Sequence, residues 1–193
     1  LMSSMEQTSR PTRAEVSDVA NAVIDGADAV LLSGETTVGK YPIETLKMME
    51  KIIRSAELDV DYNFYIDNSK TLATDITNII SLNVAEAALR LKCCAIIAPT
   101  NSGYTARMMS RFRPCCPIIA VSPNEATVKS LQLHFGINPV LINSLNSFDK
   151  IIELSKEITF KLIPTKVGDK IIITGGYPFD DVKFTNFMQI EQL

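Results

Sequence analysis

Apolar residues recur along this chain with two alternating periods. Between residues 14 and 25, Val16, Val19, Ala20 and Val23 fall on one helical face, and Gly26 supplies the stop. Residues 28–33 form a short apolar run of the buried-strand type. A glycine-bounded polar loop, residues 34–41, follows it. Pro42 then stands where a first-turn proline belongs, and residues 43–57 read as a helix with one apolar face. Further on the alternation is cleaner. Helical patterns over 75–91, 125–134 and 148–162, and one running from the polar turn 100–105 through residue 112, are interleaved with apolar runs at 94–99, 117–122, 138–142 and 170–174. Residues 185–191 close the chain as a strand suited to pair antiparallel with its predecessor at an edge. Strands alternating with helices at this spacing predict a layered α/β protein with a mostly parallel sheet. No repeat of solenoid length recurs.

One stretch breaks the pattern. Over residues 58–72, Asp59, Asp61, Asn63, Asp67, Asn68, Ser69 and Lys70 dominate, which reads as a linker between two folding units. Composition narrows the class without naming it. Apolar residues make up 46% of the chain and charged residues 21%, which excludes disorder as the dominant state. The formal net charge of −3 forces neither a nucleic-acid nor an anionic-membrane partner, so none is expected. No apolar run approaches the roughly 20 residues of a membrane span. No basic segment followed by an apolar one marks a secretory signal, and the opening Leu1-Met2-Ser3-Ser4-Met5 reads as a chain entered in its middle. The cysteines come as adjacent pairs, Cys93-Cys94 and Cys115-Cys116, without zinc-site spacing, and read as reduced, half-buried thiols of a cytoplasmic protein. His134, the one histidine, stands before Gly136 at an expected helix end, suited to partner the helix dipole.

Two loops have the composition of an anion site. Gly34 and Gly39-Lys40 match the phosphate-loop spacing G-x-x-x-x-G-K-[ST] up to its last position, where Tyr41 replaces the compact hydroxyl that would reach magnesium. Backbone N–H groups and Lys40 would cradle the phosphate; the alternative is a capped loop with useful glycines. In the second, Thr100, Asn101, Ser102, Gly103, Tyr104 and Thr105 put three hydroxyls and an amide between a strand end and a helix start. Ligands of open α/β sheets bind outside such strand ends. These residues suit a phosphate, or serve only as helix caps. A third loop, running from Gly175-Gly176 through Asp180-Asp181 to Lys183, is placed to fold over a neighbouring pocket. There the two aspartates would repel a phosphate and Lys183 would attract one.

The specific string carries further than the pattern. Residues 10–23 (RPTRAEVSDVANAV), then Asp25-Gly26-Ala27-Asp28, Leu32-Ser33-Gly34-Glu35-Thr36 and Gly39-Lys40-Tyr41-Pro42, closely resemble pyruvate kinase with unbroken spacing. Ser102-Gly103 with Thr105-Ala106, Phe112-Arg113-Pro114, residues 117–121 and Thr185-Asn186 resemble the same family's C-terminal domain. The resemblance implies an α/β protein: a C-terminal fragment of a (β/α)8 barrel over residues 1–57, a linker over 58–72, and a three-layer α/β domain with a mostly parallel sheet over 73–193. Residues 28–33 would be the last barrel strand. The loop from Gly34 to Lys40 would then be a barrel βα loop rather than a nucleotide cradle.

The reaction implied by the resemblance is phosphoryl transfer from phosphoenolpyruvate to ADP, followed by protonation of the enolate to pyruvate. It implies Mg2+ and K+, whose ligands are expected upstream of Leu1 with most of the catalytic groups, so the piece alone is expected to be inactive. By resemblance, Ser33 is a supporting hydroxyl near the proton relay and Glu35 a supporting carboxylate. Arg13, Glu15 and Asp18 resemble a segment at the subunit interface of a homotetramer. The loop of Thr100, Asn101, Ser102, Gly103 and Thr105 resembles the family's phosphate-gripping turn for an allosteric effector. Asn101 stands where a lysine is common and Tyr104 where an arginine occurs, which predicts neutralisation of one phosphate and not two. Two readings from other classes stand beside this one: an anion-sensing module without catalysis, and a nucleotide hydrolase built on Lys40.

Overall fold

Thr12 opens the first helix by a reciprocal cap. Its hydroxyl accepts from the Glu15 N–H while the Glu15 carboxylate accepts from the Thr12 N–H. Helix α1 (Arg13–Ile24) stops before Gly26, whose φ of 93° suits a residue without a Cβ. A short helix α2 (Gly34–Thr37) and a long one, α3 (Pro42–Glu57), follow. Val19 of α1 packs with Met49 and Ile52 of α3 around Met2 and Met5, and that cluster is the core of the first unit.

Two expectations change here. Residues 28–33 join no ladder among the described residues, and Leu31 is 73% exposed. A parallel barrel strand needs hydrogen-bonded neighbours, and none of the described residues supplies one. The residues expected as a polar loop begin instead as α2.

The computed structural model describes residues 1–144, 147–178 and 182–193, and it divides into two compact units, Leu1–Asp61 and Tyr62–Leu193. The stretch expected as a linker, 58–72, contains helix α4 (Tyr62–Ser69) and a 3-10 turn, Lys70–Leu72. The apolar side chains among its polar ones explain the difference. Ile66 is 6% exposed and packs with Leu82, Ala85 and Phe112.

The second unit is a sheet between helices. Its elements are α5 (Ile76–Leu91), β1 (Ala95–Pro99), α6 (Tyr104–Arg111), β2 (Ile118–Ser122), α7 (Glu125–Leu131), β3 (Ile137–Leu141), α8 (Phe148–Leu162), β4 (Lys170–Gly175) and β5 (Phe187–Gln192). The strand order is β3-β2-β1-β4-β5. All pairs are parallel except β4 with β5. Ile97 of β1 lies opposite Ile119 of β2 and Ile173 of β4. Every residue of β1 and β2 is buried, which is why both read as unbroken apolar runs. Strand β5 alternates between half-buried and exposed positions, as an edge strand covered on one face does. Val84 and Ala88 of α5, Ala106 and Met109 of α6 and Leu131 of α7 cover one face of the sheet. Ile151 and Ile158 of α8 cover the other. The result is the expected three-layer α/β arrangement with a mostly parallel sheet.

Helix α7 ends at Leu131, earlier than its pattern predicts. His134 therefore lies in the turn beyond the helix, its N–H donating to Leu131 O at 3.1 Å and its Nδ1 buried without a hydrogen bond among the described residues.

Ile172 sits in the middle of β4, fully buried. Ile172→Ala is expected to cost about 2–5 kcal/mol in urea unfolding of the chain. Val167, 86% exposed, serves as the control, and its replacement by Ala is expected to stay within about 0.5 kcal/mol.

Candidate functional site

The chain runs outward from β1 to β2 and β3, then crosses to β4 on the opposite side of β1. Loops leaving the carboxyl ends of β1 and β4 therefore diverge and open a crevice between them. A cavity of about 430 Å³ occupies that place. Thr100, Asn101, Ser102, Tyr104 and Thr105 line one side, Gly176, Val182, Lys183 and Phe184 the other, and Arg107 reaches in from α6.

The loop after β1 is held by its own polar groups. Thr100 N donates to Val121 O at 3.0 Å, continuing the ladder by one residue. Thr100 Oγ1 then accepts from Gly103 N at 3.0 Å and closes the turn. Gly103 has φ +80°, and a Cβ there would stand 2.8 Å from Arg107 Nη1 and 3.1 Å from Leu131 Cδ2. Conformation and space both call for glycine. Tyr104 N donates to Ser102 Oγ at 3.4 Å at the start of α6, and Thr127 Oγ1 donates to Asn101 O at 2.8 Å. Of the five residues singled out in this loop, Thr100, Asn101, Ser102 and Thr105 face the cavity and Gly103 sets the turn behind them.

The opposite wall is fixed by Thr185 and Asn186. The Asn186 side chain accepts from Tyr177 N at 2.9 Å and donates to Tyr177 O at 2.8 Å, so it pins both ends of the closing loop. Thr185 N donates to Thr77 Oγ1 at 3.2 Å, and Thr185 Oγ1 donates to Thr105 Oγ1 at 3.1 Å. All three threonines are buried, so this chain of bonds carries the position of α5 and of the closing loop onto a hydroxyl of the cavity. A Cβ on Gly176 would come within 2.8 Å of two main-chain oxygens, those of Phe184 and Val182. Asp180 and Asp181, expected to oppose a phosphate here, lie outside the described residues.

Among the described lining residues two are cationic, Arg107 and Lys183, and none is acidic. Arg107 escapes a reading of the loop alone. It lies four residues after Gly103 on α6, and helical side chains lean toward the amino end, which brings its Nη1 to 3.1 Å from Ser102 O. That spacing was the available signal. Hydroxyls, an amide and two cations at a helix start can hold one phosphate by charge-assisted hydrogen bonds.

The other glycine-bounded loop is occupied by itself. Thr36 N and Thr37 N donate to Ser33 O, Val38 N and Gly39 N to Gly34 O, and Lys40 N to Glu6 O. Those N–H groups are spent, so this segment forms no phosphate cradle, and the nucleotide-hydrolase reading loses its site. Gly39 has a packing reason of its own: a Cβ would lie 2.4 Å from Glu35 O.

Ser33 stands at the amino end of α2 with its side chain exposed. Glu35 is 2% exposed. Its carboxylate accepts from Ser33 N at 2.8 Å, Met2 N at 2.8 Å and the main-chain nitrogen of Leu1 at 3.0 Å. The Ser33 N–H leads the bonds that hold this carboxyl down at about 2, against the opposing effect of burial. Glu15 is tied in the same way. Burial pulls its carboxyl upward, but hydrogen bonds from Ser4 and Thr12 outweigh it and bring it to about 2. Ser4 N lies 2.7 Å from Glu15 Oε1, and Ser4 Oγ also donates to the carboxylate. Arg13 and Asp18, grouped with Glu15 in the sequence, are exposed on α1. Among the described residues no three His, Cys, Asp or Glu side chains come together. No described helix is long and apolar enough to cross a membrane.

Comparison with known proteins adds to this geometry. A family model described as "Pyruvate kinase, alpha/beta domain" matches residues 78–191, and one described as "Pyruvate kinase, barrel domain" matches residues 1–46. A curated protein named "Pyruvate kinase" from Sporosarcina psychrophila is 40% identical over 191 residues, which is 98% of this chain and 33% of that protein. Proteins of the same name from Staphylococcus epidermidis and Staphylococcus aureus are 42% identical over the same shares. The chain thus spans about a third of the length of the curated relatives it matches.

The Glu35 carboxyl falls from an ordinary 4.5 to about 2 in the folded chain. Its ionised form therefore stabilises the fold fully above about pH 5, and that contribution fades as pH drops from 4.5 toward 2. The gap in unfolding midpoint between the wild type and Glu35→Gln is expected to be full at neutral pH and to close on acidification, as circular dichroism would record. Gly103→Ala is expected to cost about 1–2 kcal/mol for the left-handed backbone, measured by urea unfolding.

Proposed function

The chain belongs to the pyruvate kinase family, and from that premise we propose that it is the C-terminal part of such an enzyme, with the end of the catalytic barrel at 1–57 and the regulatory α/β domain at 73–193. The whole enzyme transfers the phosphoryl group of phosphoenolpyruvate to ADP in the cytoplasm, giving pyruvate and ATP. Magnesium and potassium belong to that reaction, and their ligands are assigned to residues outside this chain. Ser33 and Glu35 shape a loop at the mouth of the barrel. Glu35 supports it through main-chain hydrogen bonds, with its carboxylate held ionised. Arg13 and Asp18, exposed on α1, are available to a neighbouring subunit of a homotetramer, whereas Glu15 is engaged within its own chain.

The contribution made by this chain itself is an effector site for one phosphate. The observation that carries this is the cavity at the chain reversal, where hydroxyls of the 100–105 loop meet Arg107 and Lys183 with no described acidic neighbour. Two cations balance one phosphate dianion and leave a second unbalanced. A monophosphorylated effector fits this better than a bisphosphate. A pure anion-sensing module is the second reading, favoured by the same cavity, and it differs only in having no catalytic partner.

The chain alone is expected to form no pyruvate from phosphoenolpyruvate and ADP in a coupled assay; turnover would contradict the placement of the chemistry outside it. The full-length enzyme is expected to ignore fructose 1,6-bisphosphate. Activation by micromolar sugar bisphosphate, abolished in Ser102→Ala, would overturn the single-phosphate reading.

A further inference from the structure

A pair of hydroxyls joins the two walls of the cavity between β1 and β4. Thr105, in the first turn of α6, lines the cavity and is buried. Thr185 precedes β5, is fully buried and does not line it. Their Oγ1 atoms lie 3.1 Å apart. The segment around Thr185 is pinned from both sides. Thr185 N donates to Thr77 Oγ1 of α5 at 3.2 Å, Asn186 N donates to Gly175 O at 2.8 Å, and Thr174 Oγ1 donates to Phe187 O at 2.8 Å. The place of the Thr185 hydroxyl is therefore set by α5 and the sheet, independently of any ligand.

A hydroxyl has one proton to give and two lone pairs to offer. Among the described residues, the Thr185 hydroxyl has one partner, Thr105 Oγ1. Were the bond given by Thr105, the Thr185 proton would be left buried without an acceptor, which costs free energy. Given by Thr185, the bond leaves the Thr105 proton over instead, on a residue that lines the cavity. No described residue accepts that proton. An anion in the cavity is the acceptor that completes the chain. A hydroxyl that already accepts a hydrogen bond is also the stronger donor, because successive bonds polarise one another.

We propose that Thr185 is a positioning residue for the bound phosphate, donating to Thr105 Oγ1 so that the Thr105 proton turns to a phosphate oxygen. The proposal rests on the single-phosphate site described above. Thr185 touches no ligand atom, and its effect on affinity passes through Thr105. In this it differs from Arg107 and Lys183, whose charges act on the anion directly. Thr77 is the next link outward, since it fixes the main chain of Thr185 from α5.

The test measures the affinity of the purified chain for ribose 5-phosphate by isothermal titration calorimetry, with folding checked by circular dichroism. Thr105→Val is expected to weaken binding at least about tenfold, the worth of a hydrogen bond to a charged group. Thr185→Val keeps the shape and the main-chain N–H of its position but has no hydroxyl, and is expected to weaken binding about fivefold or more. Thr185→Ser is expected to bind as the wild type does. In a Thr105→Val background, Thr185→Val is expected to cost nothing further, because its carrier is already gone. If Thr185→Val does not fold, Thr185→Cys, which puts a weak donor in place of the hydroxyl, is read in its stead. Absence of saturable binding by the wild type, or binding that Arg107→Ala leaves intact, would overturn the phosphate site and this proposal with it. Three results would overturn the role of Thr185 and leave the site standing, given binding that Arg107→Ala abolishes. They are unchanged affinity in Thr185→Val or Thr105→Val, a Thr185→Ser protein as weak as Thr185→Val, and an undiminished effect of Thr185→Val in the Thr105→Val background.

Discussion

Strand β1 is the constraint on which the larger unit depends. All five of its residues are buried, and it is hydrogen-bonded along both edges, to β2 and to β4. A strand in that position must be apolar on both faces, and each face must be covered by helices. The chain cannot supply both neighbours in one direction, because successive crossovers β1 to β2 and β2 to β3 move steadily away. It has to return and add β4 on the far side. The return parts the loops at the carboxyl ends of β1 and β4 and leaves the crevice. The site is thus a consequence of how the sheet is wound, and its chemistry is set by the residues of two loops.

Those loops are ordered by buried hydroxyls and amides. Thr77, Thr185 and Thr105 form one chain of bonds, and Asn186 clamps the loop opposite. None of these side chains carries a charge, so among the described residues the cationic character of the cavity rests on Arg107 and Lys183. In the smaller unit the same task falls to carboxylates. Glu15 gathers N–H and O–H donors and Glu35 gathers N–H donors, and together they fasten the N-terminal segment to helices α1 and α2. Both are held ionised far below the ordinary carboxyl range. These two carboxylates act as ties between segments.

Most of the sheet was legible because buried parallel strands announce themselves. Runs such as Ile96-Ile97 and Ile171-Ile172-Ile173 are apolar at consecutive positions, and the polar turns between them are unambiguous. Residues 28–33 look the same to periodicity, yet a strand exists only where another strand bonds it, and no described residue does. Helix α4 was hidden by its polar majority, since one well-placed Ile66 outweighs several exposed polar neighbours once packing is counted. In the site, the hydroxyl loop was legible from its residue types. Arg107 was not, because its relevance comes from a helical turn that folds it back toward Ser102. The roles of Thr77 and Thr105 as successive partners of Thr185 depend on contacts across about 100 and 80 positions of sequence, which local patterning does not carry.

The central claim is that the crevice between β1 and β4 holds one phosphate. The most direct measurement is phosphorus NMR of a sugar monophosphate, ribose 5-phosphate, titrated with the purified chain, beside the same titration of Arg107→Ala. The account predicts saturable broadening with one phosphate bound per chain, lost in the variant while its circular dichroism stays that of the wild type. Absence of saturable binding, or binding that Arg107→Ala leaves unchanged, would contradict it.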